Sequence, residues 1–316
     1  MEASSVKQQR TTQRVTAVAR WKTLPTGEGH FITRDSLSLW YRISGHGPAL
    51  LVPTPGWGAS SDMYMRSLIP LEGNFSVIYF DTRGAGRSEA PPEESGYKFK
   101  FFVDDLEALR LHLQLSDWLI FTHSDASLQG MAYAIKYRRT CRGLFIVDGT
   151  VNPDDKEHTR DLAVRMRRLS HEPWYPAAKK AQGSTPKSDE EFKKIFLGDG
   201  LPMYFASYRA AVKARPYFSA STYHIKAFKY DEYTPKFGRR KLSLVRVPSA
   251  VFEGDNDVIT TPLEASRLHR GIKNSMLFTV TNAGHFPWLE QPNTFFECFA
   301  RAARQILRWR RSLSDR

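Results

Sequence analysis

Residues 118–137 read WLIFTHSDASLQGMAYAIKY. The first part, Trp118 to Thr122, is an apolar run rich in β-branched and aromatic residues, which is typical of a strand buried on both faces. From Leu128 to about Tyr137, apolar residues recur at helical spacing. The stretch from His123 to Ala126 must therefore make a sharp strand-to-helix turn. A nucleophile at Ser124 would stand exposed above the sheet, with the positive end of a helix dipole behind it.

The same rhythm extends along the chain on both sides of this turn. Short apolar runs bounded by turn residues alternate with helical patterns, which indicates an α/β fold with a mostly parallel sheet and crossover helices. Helical spacing also predicts helices from Phe102 to Leu113 and from Phe295 to Trp309. The other predicted strands are Leu37 to Ile43, Ala49 to Pro53, Phe75 to Phe80, Leu144 to Asp148, Ser249 to Glu253 and Met276 to Val280.

Residues 151–242 interrupt this pattern with charged helical stretches, scattered prolines and aromatics, and few strand-like runs. We interpret them as a helical cap inserted into a core made of residues 26–150 and 243–316. Such a cap would lie over the carboxyl ends of the strands, where open α/β sheets bind their ligands. Residues 1–25 are expected to form a flexible basic tail.

The formal net charge of +13 is not gathered into one basic stripe. The excess lies in residues 1–22, 151–240 and 301–316, without base-stacking aromatics interleaved, so we expect no nucleic-acid partner. No run of 18 apolar residues and no secretory signal are recognisable, so we expect a cytoplasmic protein without a membrane span. The two cysteines, Cys141 and Cys298, signal neither a disulfide framework nor a zinc site.

Two further segments supply partners for a serine nucleophile. The segment VFEGDNDVIT places Asp257 on the loop after one predicted strand, and NAGHFPWLEQP places His285 on the loop after the last one. Serine becomes a good nucleophile when a neutral imidazole takes its proton and a carboxylate orients that imidazole. The order Ser, Asp, His fits a catalytic triad. Asp255 and Asp148, also at strand ends, compete for the role of the acid.

An acyl-transfer site also needs donors for the oxyanion. The Gly-rich loop PTPGWG after the strand ending at Pro53 can turn a backbone N–H inward, so we assign the oxyanion hole to the amides of Trp57 and Asp125. The loop DTRGAGRS, residues 81–88, carries glycines for a tight turn with Arg and Asp to fix it, and we expect it to be structural.

The turn at Ser124 departs from the usual pattern. Thr122 and Ala126 stand where glycine is common, and a β-branched threonine crowds a strained turn. If Asp125 were the nucleophile, we would expect an epoxide hydrolase or a dehalogenase. That alternative places the bulky His123 where a small residue is needed, so we expect His123 to pack beneath the turn instead.

The ordered segments PGWGAS, DTRGAGRS, THSDAS, EGDNDV and AGHFPWLEQP resemble the α/β-hydrolase superfamily over about residues 30 to 312, and most closely its proline-iminopeptidase-like members. The resemblance implies an eight-stranded sheet, a helical cap and a triad of Ser124, Asp257 and His285. The PGWG loop is similar to that of hydrolases found beside fungal polyketide synthases, which implies a substrate from secondary metabolism.

The expected reaction is therefore cleavage of an ester, lactone or thioester through an acyl-enzyme, with no cofactor and no metal. Because residues 151–242 are basic, a neutral, apolar or weakly acidic small molecule is favoured over the ammonium group of a peptide. An aminopeptidase, a non-hydrolytic enzyme such as a cyclase, a lyase or an epoxide-opening enzyme, and a ligand receptor remain alternatives. The aromatic residues expected to line the pocket are Trp174, Tyr204, Tyr208 and Trp288.

Overall fold

Eight strands form one mostly parallel sheet in the computed structural model, which describes residues 21–55, 58–227, 232 and 234–309. The sheet order is β1-β2-β4-β3-β5-β6-β7-β8. The pairings of β1 with β2 and of β2 with β4 are antiparallel, and the others are parallel. This confirms the predicted α/β fold. The strands are Gly27–Ile32, Ser38–Gly45, Ala49–Pro53, Ser76–Phe80, Trp118–His123, Cys141–Val147, Ser249–Gly254 and Ser275–Val280, numbered β1 to β8.

The first strand, β1, is the one that the sequence pattern did not reveal. Its residues GEGHFI show no apolar alternation, and Phe31 is its buried side chain. Because β1 pairs with β2 alone at the edge of the sheet, one face and one edge remain open to solvent. Edge strands of this kind carry polar residues and lose the apolar signal on which strand prediction depends.

Helices pack on both faces of the sheet, and five of them, α5 to α9, lie between β6 and β7. We call the segment from Lys156 to Leu242, which these five helices span, the helical insertion. No helix among the described residues is both long and apolar enough to cross a membrane. The helices are Asp62–Ser67, Ile69–Glu72, Phe99–His112, Ala126–Lys136, Lys156–Leu169, Tyr175–Gln182, Asp189–Ile195, Tyr208–Ser219, Arg239–Leu242, Pro262–Gly271, Pro287–Glu290 and Pro292–Trp309, numbered α1 to α12.

The helical insertion lies against the loops that follow the carboxyl ends of the strands. Arg165 of α5 donates from Nη1 to the carbonyl of Asp255 after β7, at 3.0 Å. The amide of His285, after β8, donates to the carbonyl of Tyr204 at 2.8 Å. The chain between these elements therefore forms a cover over the edge of the sheet at which the candidate residues are gathered.

Residues 21–25 correct the prediction of a flexible tail. Leu24 is buried in the core, and the Lys22 ammonium donates to the carbonyl of Leu113 at 2.8 Å. The Trp21 ring lies 4.2 Å from the guanidinium of Arg142, a cation–π contact. Apolar side chains at positions 21 and 24 thus attach a segment whose overall composition suggested disorder. The remainder of the predicted tail, residues 1–20, lies outside the described residues.

The loop DTRGAGRS has the structural contacts that its sequence suggested. The Asp81 carboxylate accepts the amide of Ser61 at 2.7 Å and the guanidinium of Arg87 at 2.6 Å. The fully buried Arg83 pairs with Asp105 at 2.7 Å and with Asp35 at 2.8 Å. Burial raises the pKa of Asp105 to about 6 even though Arg83 opposes that shift. These charges fix the loop between the sheet and α3.

Gly130 of α4 explains how the turn at Ser124 tolerates Thr122. A Cβ atom at Gly130 would lie 2.5 Å from Cγ2 of Thr122, closer than van der Waals contact allows. The close approach of strand to helix is therefore made possible by a glycine on the helix, not by one on the strand. The Thr122 hydroxyl also donates to the carbonyl of Phe145 at 3.2 Å, so the residue is buried without an unpaired donor.

We expect Gly130→Ala to lower the free energy of unfolding by about 1–3 kcal/mol, because the new methyl group clashes with Thr122 in a packed core. In a Thr122→Ala background the same substitution should cost less than about 0.5 kcal/mol, since the clash is absent. Gly73→Ala, where an added Cβ meets no atom within 4 Å, is the control. Denaturant unfolding of the four variants measures the coupling; additive effects at positions 122 and 130 would contradict it.

Candidate active site

Ser124 occupies a strained backbone position between β5 and α4. Its φ angle is +56°, a left-handed conformation that residues other than glycine rarely adopt. The backbone is held there because the Ser124 amide donates to the carbonyl of Val147 at 3.1 Å and its carbonyl accepts the amide of Ser127 at 3.0 Å. Asp125, with φ of −59°, is already helical. The sharp turn therefore centres on Ser124, as the sequence predicted, and not on Asp125.

His285 and Asp257 form a buried pair. The His285 Nδ1 atom lies 2.7 Å from Oδ2 of Asp257, and neither side chain is exposed. The carboxylate also accepts the amide of Ile259 at 2.7 Å and the hydroxyl of Thr260 at 2.9 Å, so its orientation is fixed. Because a carboxylate oxygen accepts hydrogen bonds, Nδ1 is the donor of this pair, and a neutral imidazole then has its lone pair at Nε2. This is the tautomer that a general base requires.

The second ring nitrogen of His285 is left open. Nε2 is buried and has no hydrogen-bond partner among the described residues, so no hydrogen bond joins it to the Ser124 hydroxyl. A buried polar atom without a partner costs about 1–3 kcal/mol. Catalytic hydrogen bonds are often long in an unliganded site and shorten when substrate binds. The open nitrogen is consistent with a base whose partner is the serine or a leaving group.

His123 joins the turn at Ser124 to the loop that carries His285. Its Nε2–H donates to the carbonyl of His285 at 2.8 Å, and its Nδ1 accepts the hydroxyl of Tyr64 at 2.9 Å. Burial, with a smaller contribution from the nearby His285, holds the pKa of His123 well below its usual value. His123 is therefore a neutral support beneath the turn, where the sequence placed it.

The competing acids, Asp148 and Asp255, make other contacts. Asp148 accepts the amide of Gly254 at 2.8 Å, and Asp255 accepts the side-chain amide of Asn256 at 2.7 Å. Burial, and then the charge of Asp257, raises the pKa of Asp148 well above its ordinary value. Neither carboxyl group is hydrogen-bonded to His285, so Asp257 is the acid that the fold brings to the imidazole.

Glu290 is a residue of the site that sequence reasoning missed. Its carboxylate accepts the amide of Gly284 at 2.6 Å and the amide of Ala206 at 2.9 Å. One side chain therefore connects the backbone next to His285 with the helical insertion. Burial raises the pKa of Glu290 to about 7. Its position five residues after His285, within the segment AGHFPWLEQP, was the available signal.

Gly284 allows the insertion to approach this loop closely. A Cβ atom at Gly284 would lie 2.7 Å from the carbonyl oxygen of Tyr204 and 2.9 Å from the amide nitrogen of Ala206. A side chain at this position would therefore push residues 204–206 away from His285. Gly284 directly precedes His285 in the segment NAGHFPWLEQP, and residues 204–206 of the insertion are the neighbours that require a glycine there.

A small cavity, which we call the Ser124 cavity, opens over Ser124. Its volume is about 30 Å³, and its wall is almost entirely apolar. Helix α1, the end of β5 and the helical insertion all contribute side chains. The lining residues are Pro55, Ala59, Ser60, Met63, Tyr64, His123, Ser124, Phe196, Phe218, Ser221, Tyr223 and Phe286.

The predicted pocket aromatics separate into two groups. Tyr204 lies at the site, with its ring 5.6 Å from that of His285. None of the four lines the Ser124 cavity, so its described wall differs from the predicted one. Tyr208 is 48% exposed on α8, and Trp174 packs with Tyr175 inside the insertion. Trp288 is buried beneath the turn, where its indole N–H donates to Ser67 at 2.9 Å. An aromatic ring that finds a partner in the core does not need to face a ligand.

Of the two amides assigned to the oxyanion hole, that of Asp125 lies at the N-terminal end of α4, directly after Ser124. This is the end of a helix at which backbone N–H groups and the helix dipole favour negative charge. Trp57 lies outside the described residues. The next glycine, Gly58, has a φ angle of +65°, so the chain leaves this loop through a tight turn.

Comparison with known proteins assigns the chain to a family. A family model described as alpha/beta hydrolase fold matches residues 49–292, and the chain belongs to that family. A proline iminopeptidase of Saccharolobus solfataricus is 25% identical over 81% of this chain and 85% of its own length. Among solved structures, an alpha/beta fold family hydrolase from Bacillus anthracis superposes with a TM-score of 0.71 at 20% identity, covering 88% of this chain and 99% of its own. An enol-lactonase from Burkholderia xenovorans has a TM-score of 0.66 at 19% identity, covering 87% and 100%. Membership of the family supports a hydrolase.

Strain at Ser124 should be visible in stability measurements. We expect the free energy of unfolding of the Ser124→Gly variant to be about 1 kcal/mol higher than that of the Ser124→Ala variant, because glycine adopts a positive φ without a Cβ penalty. At Ser127, inside α4, the same pair should show the opposite order, since glycine is the poorer helix former. Chemical denaturation of the four variants tests this. The same order at both positions would contradict a strained Ser124.

Glu290 should make stability depend on pH. Its folded-state pKa of about 7 lies above the ordinary 4.5, so the stability it contributes is complete below about pH 4.5 and is lost as pH rises through 7. The melting temperature of the wild type should fall between pH 5 and pH 7.5, and that of Glu290→Gln should fall less. Burial also raises the pKa of Glu264 to about 7, so part of the pH dependence of the melting temperature remains in the Glu290→Gln variant. Glu157→Gln, at an exposed position, is the control. If the melting temperatures of wild type, Glu290→Gln and Glu157→Gln fell equally with pH, the raised pKa assigned to Glu290 would be contradicted.

Proposed function

We propose that this protein is a serine hydrolase that cleaves carboxylic esters, with Ser124 as nucleophile, His285 as general base and Asp257 as the acid that orients it. The observation that carries the proposal is the left-handed backbone at Ser124 beside a buried His285–Asp257 pair whose Nε2 is open. Strained backbone conformations at residues other than glycine cluster at functional sites. Fold alone would not support this choice, because one scaffold serves many reactions.

The reaction would run in two steps. In the first, His285 Nε2 takes the proton of the Ser124 hydroxyl while Oγ attacks the ester carbonyl, and the Asp125 amide stabilises the oxyanion. His285 then protonates the departing alcohol, which leaves an acyl group on Ser124. In the second, a water molecule that His285 deprotonates attacks this acyl group; the bond to Ser124 Oγ breaks, His285 returns the proton to Oγ, and the acid is released. Asp257 supports the imidazolium that forms in both steps.

The lining of the Ser124 cavity favours an uncharged substrate. Among the residues that the structure describes, no Asp or Glu side chain lines this cavity. Three acids of the helical insertion lie elsewhere: Glu157, Glu172 and Glu232 are exposed, and Glu157 pairs with Arg267 at 2.7 Å. Asp231 lies outside the described residues. A substrate ammonium would therefore lose its hydration without gaining a counter-charge from the described wall.

A proline iminopeptidase is the second candidate, because a protein with that name is similar to this chain over most of its length. Both activities would use the same nucleophile and base. They differ in what binds the group beside the scissile bond: a peptidase of this kind needs to hold a free amino terminus. Hydrolysis of prolyl 4-nitroanilide compared with 4-nitrophenyl acetate distinguishes the two candidates.

We expect wild-type protein to hydrolyse 4-nitrophenyl acetate, and Ser124→Ala, His285→Ala and Asp257→Asn each to lose about three orders of magnitude or more in kcat/KM. Asp255→Asn is the matched control, since it removes a neighbouring carboxylate that does not touch His285; its activity should stay within about threefold of wild type.

Three results would contradict the proposal. Activity that survives in folded Ser124→Ala protein would exclude Ser124 as nucleophile. An equal loss in Asp255→Asn and Asp257→Asn would remove the role given to Asp257. Faster turnover of prolyl 4-nitroanilide than of the acetate ester would favour the peptidase. Circular dichroism of each variant checks that it is folded.

A further inference from the structure

A second, larger space lies beside the Ser124 cavity. We call it the insertion groove; it runs between Met166 of α5, Ala181 of α6 and the pair Val258 and Ile259 of the core. Its volume is about 450 Å³, and most of its lining side chains are apolar. Val258 and Ile259 directly follow Asp257 in the chain, and the amide of Ile259 donates to the Asp257 carboxylate at 2.7 Å. The groove therefore reaches the back of the His285–Asp257 pair.

A single layer of aromatic rings separates the two spaces. Phe196 lines both the groove and the Ser124 cavity. Its ring meets that of Tyr204 edge-on at 5.4 Å, and Tyr204 in turn lines the groove and faces His285 at 5.6 Å. Phe196 begins a single π-helical turn, Phe196–Gly200, that contains two glycines. Such turns are irregular points in helices and are frequent at functional sites.

The two spaces differ in what they can hold. The Ser124 cavity, at about 30 Å³, has room for roughly two water molecules. Sites for small-molecule ligands usually measure about 300–1,000 Å³. The groove, at about 450 Å³, falls in this range. A substrate of ordinary size can therefore place only a small group in the cavity and must direct its larger part elsewhere.

The position of His285 decides which part of an ester goes to which space. The oxygen of the leaving alcohol must lie next to His285, because His285 supplies its proton. Tyr204, whose ring faces His285, belongs to the wall of the groove. The carbonyl oxygen, in contrast, must point to the Asp125 amide at the N-terminus of α4. The alcohol part therefore extends towards Tyr204, Phe196 and the groove, and the acyl part remains in the small cavity.

We infer that the substrates are esters of a short acyl group, no larger than about acetyl, with a large apolar alcohol that occupies the insertion groove. This inference rests on the proposed function. The Ser124 Oγ–acyl bond forms as the ester C–O bond breaks, the proton taken from Ser124 passes through His285 to the alcohol oxygen, and the apolar alcohol is released past Phe196. Water then frees the short acid.

Two isomeric esters test this directly: octyl acetate carries the chain on the alcohol, and ethyl octanoate carries it on the acyl group. We expect kcat/KM for octyl acetate to exceed that for ethyl octanoate by about tenfold or more, because six extra methylenes find apolar surface only on the alcohol side. Ala181→Phe, which fills the groove, should lower kcat/KM for octyl acetate about tenfold and leave ethyl acetate within about twofold.

Ala177→Phe is the matched control, since Ala177 is exposed on the same helix, one turn earlier, and does not line the groove; its kinetics should equal those of wild type. The inference is overturned if ethyl octanoate is the better isomer, or if Ala181→Phe lowers ethyl acetate and octyl acetate turnover equally. If no ester shows Ser124-dependent hydrolysis, the proposed function itself fails. Hydrolysis of acetate esters with no preference between the isomers would overturn the inference alone.

Discussion

The imidazole of His285 is held in one orientation inside the protein, with one nitrogen that has no hydrogen-bond partner in the described part of the chain, and much of the surrounding structure serves this constraint. Asp257 fixes the ring through Nδ1. His123 and Glu290 fix the backbone on either side, through the His285 carbonyl and the Gly284 amide. The cost of an open buried nitrogen, about 1–3 kcal/mol, is offset by these neighbours because each is itself fully hydrogen-bonded or packed.

The same contacts couple the helical insertion to the site. The insertion touches the His285 loop through backbone groups of Tyr204 and Ala206, and it covers Ser124 with the side chains of Phe196 and Phe218. A movement of the insertion would therefore change both the shape of the cavity and the support of the base. Under the proposed function, access to the cavity and orientation of the base would therefore be coupled, as in enzymes whose closure completes the site.

Much of the fold was predictable from the sequence, because strands buried on both faces leave continuous apolar runs, as in Trp118–His123. The edge strand Gly27–Ile32 was not, since an exposed strand carries no such run. Ser124, Asp257 and His285 were singled out because each follows a strand end, and the fold brings Asp257 to His285. Glu290 was missed because its contact with Ala206 lies far along the chain. Gly130 was missed because its contact with Thr122 depends on how closely the helix packs on the strand. Trp288 was assigned to the pocket because sequence does not show which face of a ring is covered.

The central claim is that the Ser124 hydroxyl and His285 Nε2 meet when a carbonyl-like group occupies the site. A crystal structure of the protein treated with a small alkyl fluorophosphonate tests this most directly. We expect phosphorus bonded to Ser124 Oγ, one phosphoryl oxygen accepting the Asp125 amide, and His285 Nε2 within hydrogen-bond distance of the adduct while Nδ1 remains on Asp257. An adduct on another residue, or an imidazole turned away from a phosphonylated Ser124, would contradict the claim.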